Sequence, residues 1–508
     1  MTAIIEPTTT TDPGTTETFE SLNPANGDVV GVHPVASKED VDAAVARARE
    51  ASAWWRELGF EGRQELLMQW KGVITRRMAQ LADLVHLETG KPHGDAQLEI
   101  ALAIDHLNWA AKHAKKVLGR HKVSSGLLMA NQASYVQYQP LGVIGVIGPW
   151  NYPVFTPMGS IVYALSAGNT VVFKPSEYTP GVGRWLAESF AEVVHGRPVL
   201  QTVTGLGETG NALCLADIDK LAFTGSGRTG KKVMAACATN LTPVIIEAGG
   251  KDVLIVDEDA DLAAAADAAI WSGMANAGQT CIGTERVYVH EKVFDPFMKE
   301  LTDQVQQVRA GDDATASFGP ITMPSQIDII KSHLDDAVAK GANVVIGGPE
   351  AVGERFVQPT ILSHVPEDST EMTEETFGPT LAVNPVKTME EAVERTNATA
   401  YGLAGAVFSK KNGMAIAERI RSGMTSINAV TAFAGVPSLP FGGVGESGFG
   451  RIHGPDGLKE FTYAKAITRQ KYKPLLALTT FARDAKTDKR AATLINLMHG
   501  GKSTLPKK

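Results

Sequence analysis

The sequence predicts an α/β protein with two domains. Short apolar runs alternate with helical patterns from residue 143 to residue 256, which is typical of a parallel sheet covered by helices on both faces. A second alternating set begins after Cys281, so a single sheet does not account for the chain. With 508 residues, of which 44% are hydrophobic and 20% charged, the chain is long enough for two or three domains.

The first third of the chain is predicted to be helical. Ser37-Lys38-Glu39-Asp40 resembles a capping box, and the apolar residues after it recur on one helical face. Further helical patterns cover about 62–88 and 95–118, separated by a turn at Gly90, and a strand-like stretch over 123–139 follows. The predicted strands of the first domain are 143–147, 170–173, 199–203, 221–223, 244–246 and 253–256.

The second alternating set follows a predicted helix over about 259–274 and the segment that contains Cys281. Its apolar runs resemble the buried strands of the first set in length and composition. The predicted strands are 286–289, 343–346, 381–386, 404–408 and 426–427.

Composition excludes several classes of protein. Three cysteines, Cys214, Cys237 and Cys281, are too few for a disulfide framework or a zinc site and fit a reducing cytoplasm. No apolar run approaches the roughly 18 residues that cross a bilayer. The threonine-rich start lacks the features of a secretion signal, so residues 1–18 are predicted to form a disordered arm. A net charge of -8 argues against nucleic acid as a partner.

A glycine-rich turn in the first domain is a candidate phosphate site. The predicted strand at 221–224 leads into the turn Gly225–Gly230, which contains Ser226, and a helix is predicted from Lys231 to Ala238. Glycines allow close approach to the backbone, and a helix N-terminus offers unpaired N–H groups and positive dipole. An ordinary strand-to-helix turn would have the same pattern.

Lys174 and Glu177 stand at the carboxyl end of another strand upstream, the one predicted over 170–173. A lysine and a carboxylate there suit ribose hydroxyls, because ligands collect at that edge of a doubly wound sheet. The alternative is an exposed ion pair in front of a helix.

Asn151 lies in a rigid turn after the strand that ends at Ile147. The prolines Pro149 and Pro153 flank Trp150 and the asparagine, so its amide is a candidate donor to a developing oxyanion. Asparagine also occurs in turns for local hydrogen bonding alone.

Glu247 and Cys281 are the candidate base and nucleophile. Glu247 closes an apolar strand in front of Gly249 and Gly250, where burial would raise its pKa toward neutrality. Cys281 stands between a helix and a strand, with Gly278 and Gly283 beside it, where a thiol can be presented to a substrate. A half-exposed strand end and a small buried apolar residue are the alternatives.

Taken together, these motifs resemble the aldehyde dehydrogenase superfamily from about Phe19 to Ala466. The resemblance rests on six motifs in the same order and spacing as in that family. They are Pro-Trp-Asn ending at Asn151, Lys-Pro-Ser-Glu from Lys174, Phe-Thr-Gly-Ser over 223–226, Glu-Ala-Gly-Gly-Lys from Glu247, Gly-Gln-Thr-Cys ending at Cys281, and Glu-Thr-Phe-Gly-Pro from Glu375.

The resemblance implies a Rossmann-like cofactor domain, a second α/β catalytic domain and a small β extension for oligomerisation. The expected ranges are 19–121 and 141–248 for cofactor binding, 249–454 for catalysis, 122–140 and 455–472 for oligomerisation, and 473–508 for an amphipathic tail. Homodimers or homotetramers are expected.

The resemblance also implies residue roles. Cys281 attacks an aldehyde as a thiolate, Asn151 and the backbone N–H of Cys281 hold the oxyanion, and Glu247 activates the water that hydrolyses the thioester. No metal is implied. The implied coenzyme contacts are Ile147, Pro149, Trp150, Lys174, Glu177, Gly225, Ser226, Gly230, Gly249, Glu375 and Phe377.

Three positions depart from the family pattern. Ala248 stands where many members have leucine, and Ser160 and Ile452 replace a lysine and a glutamate that relay protons during deacylation in many members. Because both relay residues are absent together, we expect Glu247 and water to handle that proton.

The coenzyme is predicted to be NAD, with NADP left open. Glu177 would accept hydrogen bonds from a ribose 2′-hydroxyl and repel a 2′-phosphate. Arg228, Lys231 and Lys232 lie nearby in sequence and keep NADP in consideration.

The substrate is predicted to be an apolar or aromatic aldehyde. Candidate pocket residues are Tyr152, Phe155, Met158, Trp271 and Phe433. A succinate-semialdehyde-type or CoA-acylating enzyme is the alternative. Relatives specific for that semialdehyde often carry arginines at the positions of Gly159 and Ala275, which weakens that alternative.

Outside this family, a cysteine hydrolase would need a histidine partner, for which none of the 12 histidines lies in an evident motif. A noncatalytic protein on the same scaffold would normally have lost Cys281 or Glu247. The basic and apolar residues of the tail fit one or two amphipathic helices that pack on a neighbouring subunit, gate the substrate tunnel or lie on an anionic membrane. A solvated tail with a docked helix is the favoured interpretation.

Overall fold

The computed structural model describes residues 9–10, 17–474 and 476–501. One compact unit comprises the described residues up to Leu118 together with Gln139–Tyr463, and a second comprises Gly119–Tyr138 and the described residues from Ala464 onward. The first unit contains both predicted parallel sheets.

The first sheet carries the candidate cofactor motifs. Its neighbouring strands are parallel, except that the edge strand Gly448–Phe449 is antiparallel. The strand order is Gly448–Phe449, Val244–Glu247, Lys220–Thr224, Val143–Ile147, Thr170–Lys174 and Leu200–Thr202. The helices that follow these strands are Phe155–Ala167, Pro180–Val193, Gly207–Leu215 and Gly227–Ala238. The predicted doubly wound arrangement is confirmed.

The second sheet is parallel apart from the strand Asn343–Ile346. The strand order is Asn343–Ile346, Thr360–Ser363, Thr380–Val386, Thr284–His290, Asp252–Val256, Ala404–Phe408 and Met424–Ile427. Thr360–Ser363 was not predicted, because only Ile361 and Leu362 in it are apolar and Pro359 precedes it. Asp252–Val256 pairs with Thr284–His290, so this strand opens the second sheet instead of closing the first.

The N-terminal helices are Lys38–Glu57, Gly59–Arg76, Met78–Thr89 and His93–Leu118. The capping box at Ser37 is confirmed, because its side chain accepts from the Asp40 N–H while the Asp40 carboxylate accepts from the Ser37 N–H. The single helical pattern over 62–88 is wrong. It is two helices, because Arg77 between them leaves helical geometry at φ -108° and ψ 20°.

The helix after the glycine-rich turn begins earlier than predicted. It starts at Gly227 and not at Lys231, so Gly227 and Gly230 belong to its first turn and Ser226 is its N-cap. The helix before Cys281 runs over Leu262–Met274, with Asp261 as its cap.

The remaining helical segments up to residue 460 follow the helix Leu262–Met274 in the chain. They are Phe294–Val305, Ser325–Ala339, Thr370–Thr373, Met389–Asn397, Gly413–Ala417 and Gly454–Glu460, with short 3₁₀ turns at Ala275–Gly278, Glu291–Val293, Pro349–Ala351, Ala432–Gly435 and Gly445–Ser447. Residues 455–460, predicted to belong to the oligomerisation strands, therefore lie in a helix.

Part of the predicted disordered arm is ordered. Thr9–Thr10 pairs with the strand Thr18–Leu22, which in turn pairs with Val29–Pro34. The rest of that arm, residues 1–8 and 11–16, lies outside the described residues.

The strand-like stretch predicted over 123–139 is confirmed only in part, because residues 124–131 form no strand between His121–Val123 and Gln132–Pro140. The sheet there has the order Thr462–Gln470, Gln132–Pro140 and His121–Val123. In the tail, the structure describes one helix, Ala485–His499, capped by Asp484. Within the described ranges, no helix combines the length and the apolar character needed to cross a membrane.

Candidate active site

A cavity of about 910 Å³ opens at the carboxyl ends of the first sheet. Parallel strands end together at this edge, so their final side chains and the following helix N-termini face one space. The candidate catalytic residues Asn151, Glu247 and Cys281 all line it, and so do Ile147, Pro149 and Trp150.

One end of the cavity is built from the glycine-rich turn. Gly225 and Ser226 line it, and Ser226 caps the helix Gly227–Ala238 by accepting a 3.3 Å hydrogen bond from the Thr229 N–H. A side chain on Gly227 would meet nothing closer than 3.7 Å, so a ligand can approach the backbone there. Gly230 does not line the cavity. It faces Ile246, where an added Cβ would lie 3.2 Å from the isoleucine side chain.

Lys174 and Glu177 lie side by side along the same wall. The Lys174 ammonium is buried, donates to the Pro175 carbonyl at 3.0 Å and lies 3.8 Å from a Glu177 carboxylate oxygen. Burial lowers the pKa of Lys174, and the charge of Glu177 opposes that shift. A donor and a half-exposed acceptor at this spacing suit a pair of adjacent hydroxyls.

Glu375 and Phe377 lie in the loop at the opposite wall. A Glu375 carboxylate oxygen accepts from the Gly250 N–H at 3.0 Å. Burial raises the pKa of Glu375 to about 8, with a further contribution from the negative charge of Glu285. The Phe377 ring packs edge-on against Trp150 with centroids 5.6 Å apart. The residue has φ 53°, an unusual value for a side chain with a Cβ.

A buried ion pair between Lys251 and Glu285 holds this loop. The Glu285 carboxylate also accepts from the Thr376 N–H at 3.0 Å and the Phe377 N–H at 3.0 Å, and Lys251 Nζ donates to the Thr376 hydroxyl at 3.1 Å. Sequence reasoning missed Glu285. Its only signal was a carboxylate at the start of a predicted buried strand.

Gly249 is required by the position of Glu375. An added Cβ at 249 would lie 2.0 Å from a Glu375 carboxylate oxygen, so Gly249→Ala must displace that side chain. We expect the KM for the coenzyme to rise on the order of tenfold or more, since even a shift near 1 Å in a positioning group is costly. Steady-state kinetics at saturating aldehyde measures this. Gly94→Ala, where an added Cβ meets nothing within 4 Å, is the matched control, and equal KM values in both variants would contradict the argument.

The segment before Cys281 is strained and tightly held. Asn276, Ala277 and Gly278 have φ of 55°, 57° and 73°, a run that is uncommon outside functional sites. Gln279 is fully buried; its side chain donates to the Asn276 carbonyl at 2.8 Å and accepts from the Thr322 N–H at 2.8 Å. The half-buried Cys281 therefore stands on a segment whose backbone has little freedom.

Glu247 is buried beside this thiol. One carboxylate oxygen accepts from the Thr224 hydroxyl at 3.1 Å. Burial raises the pKa of Glu247 to about 7, and short-range interactions with the Cys281 thiol and the Thr224 hydroxyl partly offset the effect. A carboxylate with this pKa can accept a proton and release it again near neutral pH.

Cys281 is present as a thiol in this environment. Burial raises the pKa of Cys281 well above its ordinary value, and the negative charge of Glu247 raises it further. The thiolate expected to attack the aldehyde must therefore form by loss of this proton during the reaction, because the surrounding carboxylates disfavour a second negative charge. The proton must leave as the sulfur attacks.

Asn151 reaches the same segment from the first sheet. Its side-chain amide donates to the Gln279 carbonyl at 2.9 Å, which places the amide two residues from Cys281 in the chain. An amide nitrogen carries two N–H groups, so the second remains for a substrate oxygen. The backbone carbonyl of Asn151 accepts from Lys91 Nζ at 2.8 Å and from the Asn276 side-chain amide at 3.0 Å.

The positions that lack the usual proton relay, Ser160 and Ile452, are buried, and Ile452 lies beside Gly159. An added Cβ at Gly159 would lie 2.6 Å from the His453 ring and 3.0 Å from the Ile452 side chain. Ser160 and Ile452 are both about 4% exposed. The isoleucine side chain has no group that can carry a proton.

The candidate substrate residues are only partly brought together. The Tyr152 hydroxyl lies 2.9 Å from the Thr280 hydroxyl, next to Cys281. Phe155 and Phe433 join one aromatic group through Phe441 and His453, with centroid distances of 5.3 to 6.4 Å. Met158 is fully buried, whereas Trp271 is 48% exposed on the helix before Cys281.

The family model and the relatives described below are all named as aldehyde or semialdehyde dehydrogenases. A family model described as the aldehyde dehydrogenase family matches residues 11–467. A putative NADP-dependent succinate-semialdehyde dehydrogenase of Mycobacterium ulcerans is 37% identical over 441 residues, with 85% of each chain covered. A mitochondrial aldehyde dehydrogenase of Leishmania tarentolae is 37% identical over 461 residues, covering 89% of this chain and 91% of that one. The crystal structure of an NAD-dependent aldehyde dehydrogenase from Sinorhizobium meliloti superposes with a TM-score of 0.86 at 34% identity, covering 91% of this chain and 93% of that one.

Proposed function

The chain belongs to the aldehyde dehydrogenase family, and on that premise we propose that Cys281, Glu247 and Asn151 oxidise an apolar or aromatic aldehyde to its carboxylic acid with NAD. NAD(P)-dependent aldehyde oxidation is the activity of this family fold. The observation that carries the assignment of residues is that a thiol, a carboxylate of pKa about 7 and a fixed amide line one cavity.

The cavity fits a dinucleotide. The capped helix N-terminus at Ser226 suits the pyrophosphate, Lys174 and Glu177 suit the adenosine ribose, and the space that Gly249 leaves beside Glu375 suits the second ribose. Bound NAD would accept the hydride that leaves the substrate carbon. Phe377 and Trp150 would pack beside the ring and keep water from it.

The first half-reaction forms a thioester on Cys281. The sulfur bonds to the aldehyde carbon while its proton passes to the adjacent Glu247 carboxylate, and Asn151 with the Cys281 N–H binds the resulting oxyanion. Loss of a hydride from that carbon restores the carbonyl as a thioester.

The second half-reaction releases the acid. Glu247 first releases to solvent the proton that it took from the thiol. It then takes a proton from water, the hydroxide adds to the thioester carbon, and the same donors bind the oxyanion again. The carbon–sulfur bond then breaks and the sulfur regains a proton. The net change consumes one aldehyde, one oxidised coenzyme and one water, and yields the acid, the reduced coenzyme and a proton.

NAD is expected to be preferred over NADP by about tenfold or more in kcat/KM. A 2′-phosphate beside Glu177 would face a like charge, and such charges a few ångströms apart repel by about 1 to 4 kcal/mol. Initial rates with each coenzyme measure the preference, and Glu177→Gln should reduce it. A clear NADP preference would contradict the role given to Glu177. That outcome is a real alternative, because a relative from Mycobacterium is named as an NADP enzyme.

The substrate proposal rests on the aromatic group near the catalytic loop. Phe155 lies four residues after Asn151, at the start of the helix Phe155–Ala167, and contacts the His453 ring, and Phe433 lies in the same aromatic group. Gly159 offers no cation for a distal carboxylate, although relatives named succinate-semialdehyde dehydrogenases are 37% identical. An aldehyde panel read by NADH absorbance, with and without CoA, tests the choice. A kcat/KM highest for succinate semialdehyde, or turnover that requires CoA, would overturn it.

We further propose a cytoplasmic homodimer or homotetramer. Its support is the sheet formed by His121–Val123, Gln132–Pro140 and Thr462–Gln470, whose last strand is largely exposed and leaves an edge for another subunit. Light scattering coupled to size exclusion tests the assembly, and a monomer would contradict it. Cell fractionation tests the location.

A further inference from the structure

A second buried Lys–Glu pair lies behind the loop that carries Asn151. Lys91 Nζ is 2.7 Å from a Glu99 carboxylate oxygen, and both side chains are completely buried. Lys91 follows the turn at Gly90 and Glu99 lies in the helix His93–Leu118. Neither residue lines the cofactor cavity.

The pair forms hydrogen bonds with both ends of the loop from Asn151 to Phe155. Lys91 Nζ donates to the Asn151 backbone carbonyl at 2.8 Å, and it lies 4.1 Å from the centre of the Tyr152 ring. The other Glu99 oxygen accepts from the Val154 N–H at 2.7 Å and the Phe155 N–H at 3.1 Å. The ion pair therefore fixes the loop from Asn151 to the first turn of the following helix.

The turn that carries Lys91 is connected by hydrogen bonds to the segment that carries Cys281. The Thr322 hydroxyl donates to the Thr89 carbonyl at 2.9 Å. Thr322 is itself held in place, because its N–H donates to the Gln279 side chain. The turn that carries Lys91 is thus tied to the same glutamine that holds the segment of Cys281. A charge buried without these partners would be strongly unfavourable, so only one geometry of the loop satisfies it.

We propose that Lys91 and Glu99 are positioning residues that fix the Asn151 amide for the oxyanion, acting through the loop without touching substrate or coenzyme. The inference rests on the proposed role of Asn151. Charge burial here serves orientation, because a displacement near 1 Å in a catalytic donor can cost about a hundredfold in rate.

The test is a double-mutant cycle between Lys91→Met and Asn151→Ala. Lys91→Met should lower kcat by about ten- to a hundredfold, leave the dissociation constant of NADH within about twofold, and add little to the loss caused by Asn151→Ala. Fluorescence titration gives the coenzyme affinity. Lys91→Met leaves Glu99 unpaired, so the Lys91→Met/Glu99→Gln variant, which removes both charges, carries the test if the single variant does not fold.

Lys251→Met/Glu285→Gln is the matched comparison, because it removes the other buried pair. That pair holds the loop of Glu375, so its loss should weaken NADH binding. Additive losses in the cycle, an unchanged kcat in the Lys91 variants, or the same loss of NADH affinity in both pairs would overturn the inference. If Asn151→Ala itself leaves the rate intact, the proposed function of Asn151 fails first.

Discussion

Cys281→Ala is expected to lower aldehyde turnover by a factor on the order of 10⁵, as removal of a nucleophile does in other enzymes with covalent intermediates. The residual chemistry would have only the oxyanion donors and no sulfur to form a thioester. NADH affinity should stay near that of the unmodified enzyme, because the ribose and pyrophosphate contacts do not involve the thiol. Stopped-flow absorbance should show no burst of NADH.

Cys237→Ala is the control for this result. Cys237 is as buried as any core residue and lies on the helix that begins at Gly227, away from the reacting sulfur. It should keep its burst and its turnover. If Cys281→Ala retained turnover near that of Cys237→Ala, the nucleophile would have to be another group and the mechanism would be wrong.

The sequence predicted the sheets and indicated the candidate site residues for one reason. These candidates stand in contiguous motifs at strand ends, where a short apolar run and the residue after it are both visible in the sequence. Asn151 follows the strand Val143–Ile147, and Glu247 closes the strand Val244–Glu247. Parallel pairing then brings them to one edge.

The groups that hold these residues were not predictable in the same way. Lys91 bonds to Asn151 across 60 residues, and Glu285 supports Phe377 across 92. Their roles exist only once the chain has folded, and each looked in the sequence like a turn or strand residue. The raised pKa of Cys281 has the same origin, because it depends on burial and on carboxylates that the fold brings close to the thiol.

Glu247→Gln is expected to slow release of the acid far more than formation of the thioester. Deacylation loses the base that activates water, which is worth about 10²- to 10⁴-fold. Acylation loses the same base, but it also loses the negative charge that raises the pKa of Cys281. The thiol then gives up its proton to water more easily, which partly compensates for the lost base. A burst of about one NADH per subunit should therefore survive, followed by a slow steady state.

The rate of deacylation is expected to depend on pH through the protonation of Glu247. Because the pKa of Glu247 is about 7, its basic form grows as pH rises through 7, and deacylation in the unmodified enzyme should accelerate from pH 6 to 8. The variant should lack that rise. Glu88→Gln is the matched control. Burial also raises the pKa of Glu88 to about 7, but its carboxylate accepts from the Gly181 and Val182 N–H groups and does not line the cavity. A burst lost as completely as the steady state would show that Glu247 acts equally in both steps.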